Sequence, residues 1–309
     1  MENEKIQVKA IAEPTKILVR AEQTPEIVEE MKKLKRMAQR VYENIEGHEK
    51  AWSKVMLARM TERPRANYYL EKICDEFLEL HGDRTYSDDP AIRGGIARIG
   101  THVVTIIAQS RGVKAKENMR MNFGMAHPEG YRKALRLMKQ AEKFKRPVIC
   151  LIDTPGAYCG IGAEERGQGQ AIAQNLFEMT RLKVPIISGI IGEGGSGGAL
   201  ALGIADKIFM QEHAVYSILS PEGFASILWK DATRAQEAAE KMKLTAQDLW
   251  EQGVIDDIIL EPIGGAQKDP VASAEAIKEY VLTQLQDMAK VNTRELVEKR
   301  YVRFRKIYC

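Results

Sequence analysis

The run VPIISGIIGEGGSGGALA, residues 184–201, decides the fold. Its first eight residues are mostly apolar and β-branched, which predicts a buried strand over Val184–Ile191. Five glycines follow within Gly192–Gly198, and an apolar helix is predicted from Ala199. A glycine-rich junction of this kind uncovers backbone N–H groups at the positive end of a helix dipole, where they stabilise negative charge. Because every glycine loses much conformational entropy on folding, packing alone would rarely require so many, and a functional turn is predicted.

Strands alternate with helices on both sides of this junction. The strands are predicted at Val103–Ala108, Val148–Ile152, Val184–Ile191, Lys207–Met210 and Val254–Leu260. Helical patterns run through Tyr131, Leu135, Met138 and Ala141, and through Ile172, Leu176 and Met179. After Asp269-Pro270 the chain is predicted to be helical to its end. This alternation predicts an α/β fold with a mostly parallel sheet.

The N-terminal residues have a different pattern. Thr24 and Pro25 suit the start of a helix, and a narrow apolar stripe follows. The stripe consists of Ile27, Met31, Leu34, Ala38, Val41 and Ile45. We expect residues 1–60 to form a helical arm and residues 61–309 to form the α/β domain. The stripe alone leaves open whether the arm contacts another subunit or its own core.

Composition excludes several classes of protein. The 309 residues carry 46 basic and 43 acidic side chains, a net charge of +3, which does not favour a dedicated nucleic-acid binder. The cysteines Cys74, Cys150, Cys159 and Cys309 form no CxxC pair, so a zinc ribbon in this chain is not expected. No apolar leader or membrane-length apolar run is present in the sequence, and a cytoplasmic location is expected.

A second glycine-rich segment follows the predicted strand at Val148–Ile152. It begins with DTPGAY, residues 153–158, and continues through Gly160, Gly162 and Gly167. Glycines at such a place permit positive φ angles and a close approach of backbone to ligand. A flexible loop remains an alternative on turn chemistry alone.

The Gly192–Gly198 run also matches motifs of other enzyme classes. Its GxGxxG spacing fits a dinucleotide site, but the acid at Asp206 follows much too soon. Its GxSxG spacing fits a serine nucleophile elbow at Ser196, for which His213 and Asp206 are poor partners. No Lys-Ser or Lys-Thr follows the glycines, which excludes a P-loop.

Side chains suited to catalysis are scarce elsewhere. The histidines His48, His81, His102, His127 and His213 show no metal-ligand spacing, and no carboxylate pair is favoured. The remaining hypothesis is an oxyanion site built from backbone N–H groups. A basic stretch between Lys114 and Arg146 could attract phosphates or an acidic carrier, but the solvated face of a helix is the favoured interpretation. Its basic residues are Lys114, Lys116, Arg120, Arg132, Lys133, Arg136 and Lys139.

Several long motifs resemble the carboxyltransferase α subunit of multisubunit acetyl-CoA carboxylase. The resemblance runs from about residue 25 to the end of the chain. The motifs are RGGIA at 93–97, NFGM at 122–125, PEGYRKALR at 128–136, DTPGAY at 153–158, GAEERGQ at 162–168, GEGGSGG at 192–198 and SPEG at 220–223. One position departs from the family pattern, because Cys159 stands where proline is expected.

The resemblance implies a crotonase-type fold of stacked ββα units and an α2β2 assembly with active sites between subunits. The β subunit would carry the zinc ribbon, consistent with the lack of CxxC here. Other implied partners are the biotin carboxyl carrier protein, biotin carboxylase and acetyl-CoA. Biotin would be the cofactor, bound to the carrier; no metal and no covalent cofactor are expected on this chain, and no membrane partner is expected.

The resemblance also implies roles for residues. The N–H groups of Gly197 and Gly198 would stabilise negative charge on the ureido oxygen of biotin, whose own nitrogen would act as the base for acetyl-CoA. No side-chain base would then be needed to make malonyl-CoA, the first committed step of fatty acid biosynthesis. Further substrate contacts are expected from Gly156, Ala157, Gly194, Gly195, Ser196, Ser220 and Pro221.

Other functions remain open at this stage. A crotonase-like hydratase or isomerase would need a carboxylate such as Glu193 or Glu222 and no biotin. A serine peptidase of related architecture would need Ser196. A non-catalytic scaffold or an RNA-binding protein would retain its function when Gly197 and Gly198 are disrupted, and RNA binding would depend on salt.

Overall fold

The computed structural model of this protein describes residues 51–307. The predicted N-terminal arm lies outside the described residues up to residue 50, and so does its apolar stripe from Ile27 to Ile45. The last part of the expected arm forms a helix, α1 (Ala51–Arg59). Its residues Val55 and Ala58 are fully buried and pack in a small cluster with Val215 and Ala239.

One mixed sheet of eight strands organises the described chain. The spatial order is β1-β2-β3-β4-β5-β6-β8, and β7 pairs with the end of β5. The first three strands are antiparallel and the remaining pairs are parallel. The strands are β1 Glu76–Glu79, β2 Ile92–Ile99, β3 His102–Gln109, β4 Val148–Thr154, β5 Ile186–Gly195, β6 Lys207–Gln211, β7 Val215–Ser217 and β8 Asp257–Ile259.

Helices cover both faces of the sheet. They are α2 Ala66–Ile73, α3 Ala115–Arg120, α4 Pro128–Lys143, α5 Ile161–Glu165, α6 Gln168–Met179, α7 Ser196–Leu200, α8 Pro221–Trp229, α9 Ala235–Met242, α10 Ala246–Glu251, α11 Pro270–Met288 and α12 Thr293–Lys306. Alternate residues of β4 enter two separate hydrophobic clusters, Cys150 and Ile152 in one and Ile149 and Leu151 in the other. Burial on both faces explains why the central strands are continuous apolar runs.

The five predicted strands are confirmed as elements; three are one or two residues longer than predicted, and two differ more. The strand expected at Val184–Ile191 runs from Ile186 to Gly195, because Gly194 and Gly195 pair with β7 and Gly194 also pairs with β4. The strand expected at Val254–Leu260 is shortened to Asp257–Ile259. The helical C-terminal region is confirmed, and the Asp269 side chain caps α11 by accepting from the N–H of Ala272 at 2.9 Å.

Helix α12 is fixed to the sheet by a buried arginine. The guanidinium of Arg300 donates to both carboxylate oxygens of Asp206, at 2.9 and 2.6 Å. It also donates to the carbonyls of Met179, Leu182 and Val184. Among residues 51–307, no helix has the length and apolar character needed to cross a membrane.

Candidate active site

The glycine-rich run forms a strand that turns directly into a one-turn helix. Residues 192–195 belong to β5, and α7 starts at Ser196 with φ +51°, in the left-handed region. Gly195 precedes α7 and offers no side chain to cap it. Gly197 and Gly198 are the second and third helical residues, and N–H groups of a first turn have no acceptor within their own helix. That their N–H groups act as a pair of donors stays a prediction.

Close packing accounts for most of the glycines, which corrects the sequence interpretation. A Cβ on Gly192 would lie 2.5 Å from Asp153 Oδ1, and one on Gly194 would lie 2.8 Å from the Tyr216 ring. A Cβ on Gly195 would come within 2.0 Å of the Pro155 carbonyl oxygen. These glycines are needed because the backbone of β5 passes directly against its neighbours.

Gly197 and Gly198 differ sharply in the space around them. A Cβ on Gly198 would lie 2.5 Å from the amide nitrogen of Ala157 and 2.6 Å from the carbonyl carbon of Gly156. A Cβ on Gly197 would meet only Ile172, at 3.7 Å. Gly197 therefore presents the open side of the junction, while Gly198 is pressed against the neighbouring loop.

That neighbouring loop is the second glycine-rich segment, so the two segments meet. The Thr154 hydroxyl lies 2.7 Å from the Gly124 carbonyl and accepts from the Gly156 N–H at 3.1 Å. The N–H of Tyr158 donates to the Ala126 carbonyl at 3.1 Å. These hydrogen bonds hold both ends of the DTPGAY segment, and Cys159, which follows it, is exposed. The alternative of a flexible loop is therefore disfavoured.

A small cavity adjoins the junction and collects four of the expected substrate-contact residues. Its volume is about 50 Å³, and the four are Gly194, Gly195, Ser220 and Pro221. Val55, Arg59, Pro155, Glu193, Val215, Ser217, Leu219 and Leu244 complete its lining. The Ser220 hydroxyl is engaged as the cap of α8, accepting from the Gly223 N–H at 3.1 Å.

Alternating charges surround this cavity. Glu193 accepts from Arg59 Nε at 2.8 Å and from Arg111 Nη2 at 2.5 Å. Arg111 Nε lies 3.3 Å from Asp153, and Arg65 Nη1 donates to the same carboxylate at 3.2 Å. The sequence analysis missed these three arginines, because their carboxylate partners are far away in the sequence: 134 residues separate Arg59 from Glu193, 88 separate Arg65 from Asp153 and 82 separate Arg111 from Glu193.

These ion pairs weaken the hydratase alternative. Arg59 also donates to Glu222 at 2.7 Å, and this hydrogen bond lowers the pKa of the Glu222 carboxyl group. Either carboxylate that a hydratase could use is thus held by guanidinium groups, and the lowered pKa of Glu222 makes that group a poor proton acceptor. The serine-nucleophile alternative loses its acid, because the Asp206 carboxylate is bound by Arg300.

Most basic side chains of the stretch between Lys114 and Arg146 form ion pairs or hydrogen bonds within the chain. Arg132 pairs with Asp83, the buried Lys133 with Asp88, and Lys139 with Glu178. Arg136 donates to the carbonyls of Gly82 and His81. Lys114, Lys116 and Arg120 are exposed on or beside α3. A continuous basic patch along α4 is therefore not formed.

Comparison with known proteins gives a consistent result. A family model described as acetyl co-enzyme A carboxylase carboxyltransferase-like matches residues 2–308. The acetyl-coenzyme A carboxylase carboxyl transferase subunit alpha of Clostridium perfringens is 62% identical over 257 residues, covering 83% of this chain and 95% of that one. The protein of the same name from Alkaliphilus oremlandii is 60% identical over 275 residues, covering 89% and 86%.

Solved structures show the fold. A Pseudomonas malonate decarboxylase hetero-tetramer in complex with coenzyme A has a TM-score of 0.61 at 16% identity, covering 75% of this chain and 90% of that one. The transcarboxylase 12S structure has a TM-score of 0.55 at 22% identity, covering 69% of this chain and 41% of that one. The predicted α/β fold of crotonase type is confirmed.

Proposed function

This chain belongs to the α-subunit family of the acetyl-CoA carboxylase carboxyltransferase, as its motifs predicted, and we propose that the β5–α7 junction is its half of the active site. The reaction moves a carboxyl group from carboxybiotin to acetyl-CoA and forms malonyl-CoA. The main support for this proposal is the pair of N–H groups that Gly197 and Gly198 place in the first turn of α7. Gly197 lies on the open side of the junction. Such donors hold an oxygen atom on which negative charge develops.

The residues around the junction suit an oxyanion-binding role. Biotin, carried on a partner protein, supplies the transferable carboxyl group and a polar ureido ring. In this chain, the N–H groups of Gly197 and Gly198 would bind a ureido oxygen, and the Gly156-Ala157 loop would support them from behind. Gly194, Gly195, Ser196, Ser220 and Pro221 would border the ring. The carboxylates of Glu193 and Glu222 are paired with arginine, so neither is proposed to accept a proton.

The size of the cavity favours a site completed by a partner. A space of about 50 Å³ holds only a few water-sized groups, and a bicyclic ring needs several times that volume. The ring would therefore be covered partly by another surface. The name α subunit implies a β subunit and a multisubunit complex. We propose an α2β2 assembly in which the β subunit holds acetyl-CoA, together with the biotin carboxyl carrier protein and biotin carboxylase, in the cytoplasm. Residues 1–50 are proposed to contribute a subunit contact.

Substitution at Gly197 is the direct test, because this position accepts a side chain without a clash. Malonyl-CoA decarboxylation coupled to biotin carboxylation would be measured for this chain alone and in complex with the β subunit. The complex would also be measured with Gly197→Ala and with Gly197→Val. We expect activity only in the complex, a small loss for Gly197→Ala, and a loss of about 10²-fold or more for Gly197→Val, comparable to removing one oxyanion donor.

The opposite results would mean that the catalytic groups lie outside the β5–α7 junction. Full activity of Gly197→Val in an intact complex, or biotin-independent activity of this chain alone, would contradict the proposal. Ser196→Ala serves as a second control, because the left-handed φ of Ser196 resembles the geometry of a nucleophile elbow. An unchanged rate for Ser196→Ala would exclude that role.

A further inference from the structure

The pairing of β4 with β5 becomes irregular just before the glycine-rich junction. Ile152 of β4 pairs with Ile190, but two residues later β4 already pairs with Gly194. One residue of β4, Asp153, thus lies opposite three residues of β5. A bulge of this kind interrupts the ladder of hydrogen bonds and changes the direction of the strand, and bulges are frequent beside active sites. The direction in which β5 enters α7 therefore depends on the groups that hold this bulge.

Side chains bind the backbone of β5 at the bulge. Oδ1 of the buried Asp153 accepts from the N–H of Glu193 at 3.2 Å, and a Cβ on Gly192 would lie 2.5 Å from the same oxygen. Arg63 Nε donates to the Ile191 carbonyl at 2.9 Å. The Asp153 carboxylate therefore takes the place of a backbone acceptor on the β4 side.

Asp153 is held in turn by Arg65, which lies just before α2. Arg65 is buried, and its Nη1 donates at 3.2 Å to Asp153 Oδ2, the oxygen that does not bind Glu193. The same guanidinium donates to three carbonyls at the C-terminal end of α1, where a positive charge is favourable. They are the carbonyls of Ala58, Arg59 and Met60, at 3.3, 3.2 and 2.6 Å. Arg65 thus joins the end of α1 to the bulge of β5 through one carboxylate.

We propose that Arg65 and Asp153 are positioning residues for the β5–α7 junction. Arg65 holds the carboxylate in the orientation that presents Oδ1 to the Glu193 N–H. That hydrogen bond fixes the bulge three residues before α7 begins. The bulge in turn sets the direction of the N–H groups of Gly197 and Gly198. Neither positioning residue lines the cavity, so both act without touching substrate.

This inference rests on the proposed function, so its test leaves Gly197 untouched. Arg65→Lys keeps the positive charge, but one ammonium group cannot bridge three carbonyls and a carboxylate as the planar guanidinium does. Asp153→Asn keeps the shape of the side chain and loses one of its two contacts, because an amide nitrogen cannot accept a hydrogen bond. Arg111 Nε lies 3.3 Å from Asp153, so the carboxylate keeps a neighbouring positive charge in the Arg65 variant.

Arg300 provides a matched control. It is also buried and also donates to three carbonyls and one carboxylate, that of Asp206. Its contacts lie at the opposite end of the parallel strands, since Asp206 accepts from the N–H of Ile186, the first residue of β5, at 2.8 Å. Arg300→Lys should therefore lower the free energy of unfolding without altering the junction. Each variant is assembled with the β subunit, and complex formation is checked by size-exclusion chromatography before kinetics.

The expected signature is a loss of kcat at constant KM for malonyl-CoA. Arg65→Lys should lower kcat about tenfold and Asp153→Asn about 10- to 100-fold, no more than the loss of an oxyanion donor itself. Arg300→Lys should leave kcat unchanged. Because Arg65 acts through Asp153, the double variant should be no slower than Asp153→Asn. A second readout needs no turnover. Hydrogen exchange of the peptide covering residues 191–198 should be about tenfold faster in both positioning variants and unchanged in Arg300→Lys.

Four results would overturn the positioning role. They are a wild-type kcat with wild-type exchange in Arg65→Lys, effects of the two substitutions that multiply in the double variant, a raised KM at constant kcat, and an equal loss of kcat in Arg300→Lys. If Asp153→Asn does not assemble, the kcat and the exchange of Arg65→Lys decide. If Gly197→Val is inactive while both positioning variants behave as wild type, the positioning role fails and the proposed function stands. If Gly197→Val is active in an intact complex, both fail.

Discussion

The α-carbon of Gly198 lies against the backbone of Ala157, so closely that a Cβ on Gly198 would approach the Ala157 nitrogen to 2.5 Å. Gly198→Ala should therefore destabilise the chain by about 1–3 kcal/mol through overpacking. Gly197→Ala, one residue away, should be neutral or stabilising by up to about 1 kcal/mol, because alanine is the better helix former. Urea unfolding of the two variants measures the difference. Equal free energies of unfolding for the two variants would mean that the backbone at Gly198 can move away from Ala157 at little cost in free energy.

Glu222 should be dispensable for catalysis. Its side chain is partly exposed, and it is paired with Arg59. Glu222→Gln keeps the shape of the side chain, and we expect kcat to stay within about threefold, with an unchanged acidic limb of the pH–rate profile. Steady-state kinetics of the complex across pH provides the check. A loss of about 10²–10⁴ would identify Glu222 as a general acid or base and revive the hydratase interpretation.

The ion pair between Arg63 and Glu261 is completely buried, with an Nη2–Oε1 distance of 2.6 Å. Arg63→Met should lower the free energy of unfolding by about 3–5 kcal/mol, because it leaves a buried carboxylate unpaired. The double variant Arg63→Met, Glu261→Met should recover part of that loss. Both values come from chemical denaturation. A single variant as stable as wild type would indicate that Glu261 is protonated or hydrated when alone.

His127 gives the protein a measurable dependence on pH. The Asp89 carboxylate, 3.8 Å from Nδ1 of His127, raises the pKa of that ring, which also contacts Tyr158 at a centroid distance of 4.4 Å. The stabilisation is fully present below the unfolded pKa of about 6.5 and is lost as pH rises through the higher folded pKa. The pair is partly solvated, so we expect about 0.2–1 kcal/mol.

The measurement compares wild type with His127→Gln. The advantage of the wild type in unfolding free energy should be larger at about pH 5.5 than at about pH 8.5. A constant difference over that interval would show that the raised pKa has no consequence for folding.

The central strands were predictable because burial on both faces leaves a purely local signal. The runs at Val148–Ile152 and Lys207–Met210 needed no knowledge of their neighbours. The edge strand Glu76–Glu79 carries no such signal, since it alternates between exposed and half-buried residues. The junction was also visible in the sequence, because five glycines within seven residues after an apolar strand indicate a backbone that approaches another group closely.

The sequence did not predict which of those glycines are closely packed and which one is open. Whether a given glycine is packed or open depends on Asp153, Pro155, Ala157 and Tyr216, which reach the run only in the folded state. The charge network was hidden for the same reason, because Arg59 and Glu193 are 134 residues apart. Sequence composition records the number of charges and contains nothing about which of them meet.

The hydrogen bonds of the buried Arg300 can form only late in synthesis of the chain. Asp206 precedes Arg300 by 94 residues, and a ribosome adds about 5–20 residues per second. The nascent chain therefore carries the partners of Arg300 for roughly 5–20 s before that side chain exists. Throughout this interval the Asp206 carboxylate and the carbonyls of Met179, Leu182 and Val184 lack their guanidinium donor. These contacts around Arg300 can thus form only after α12 has been synthesised.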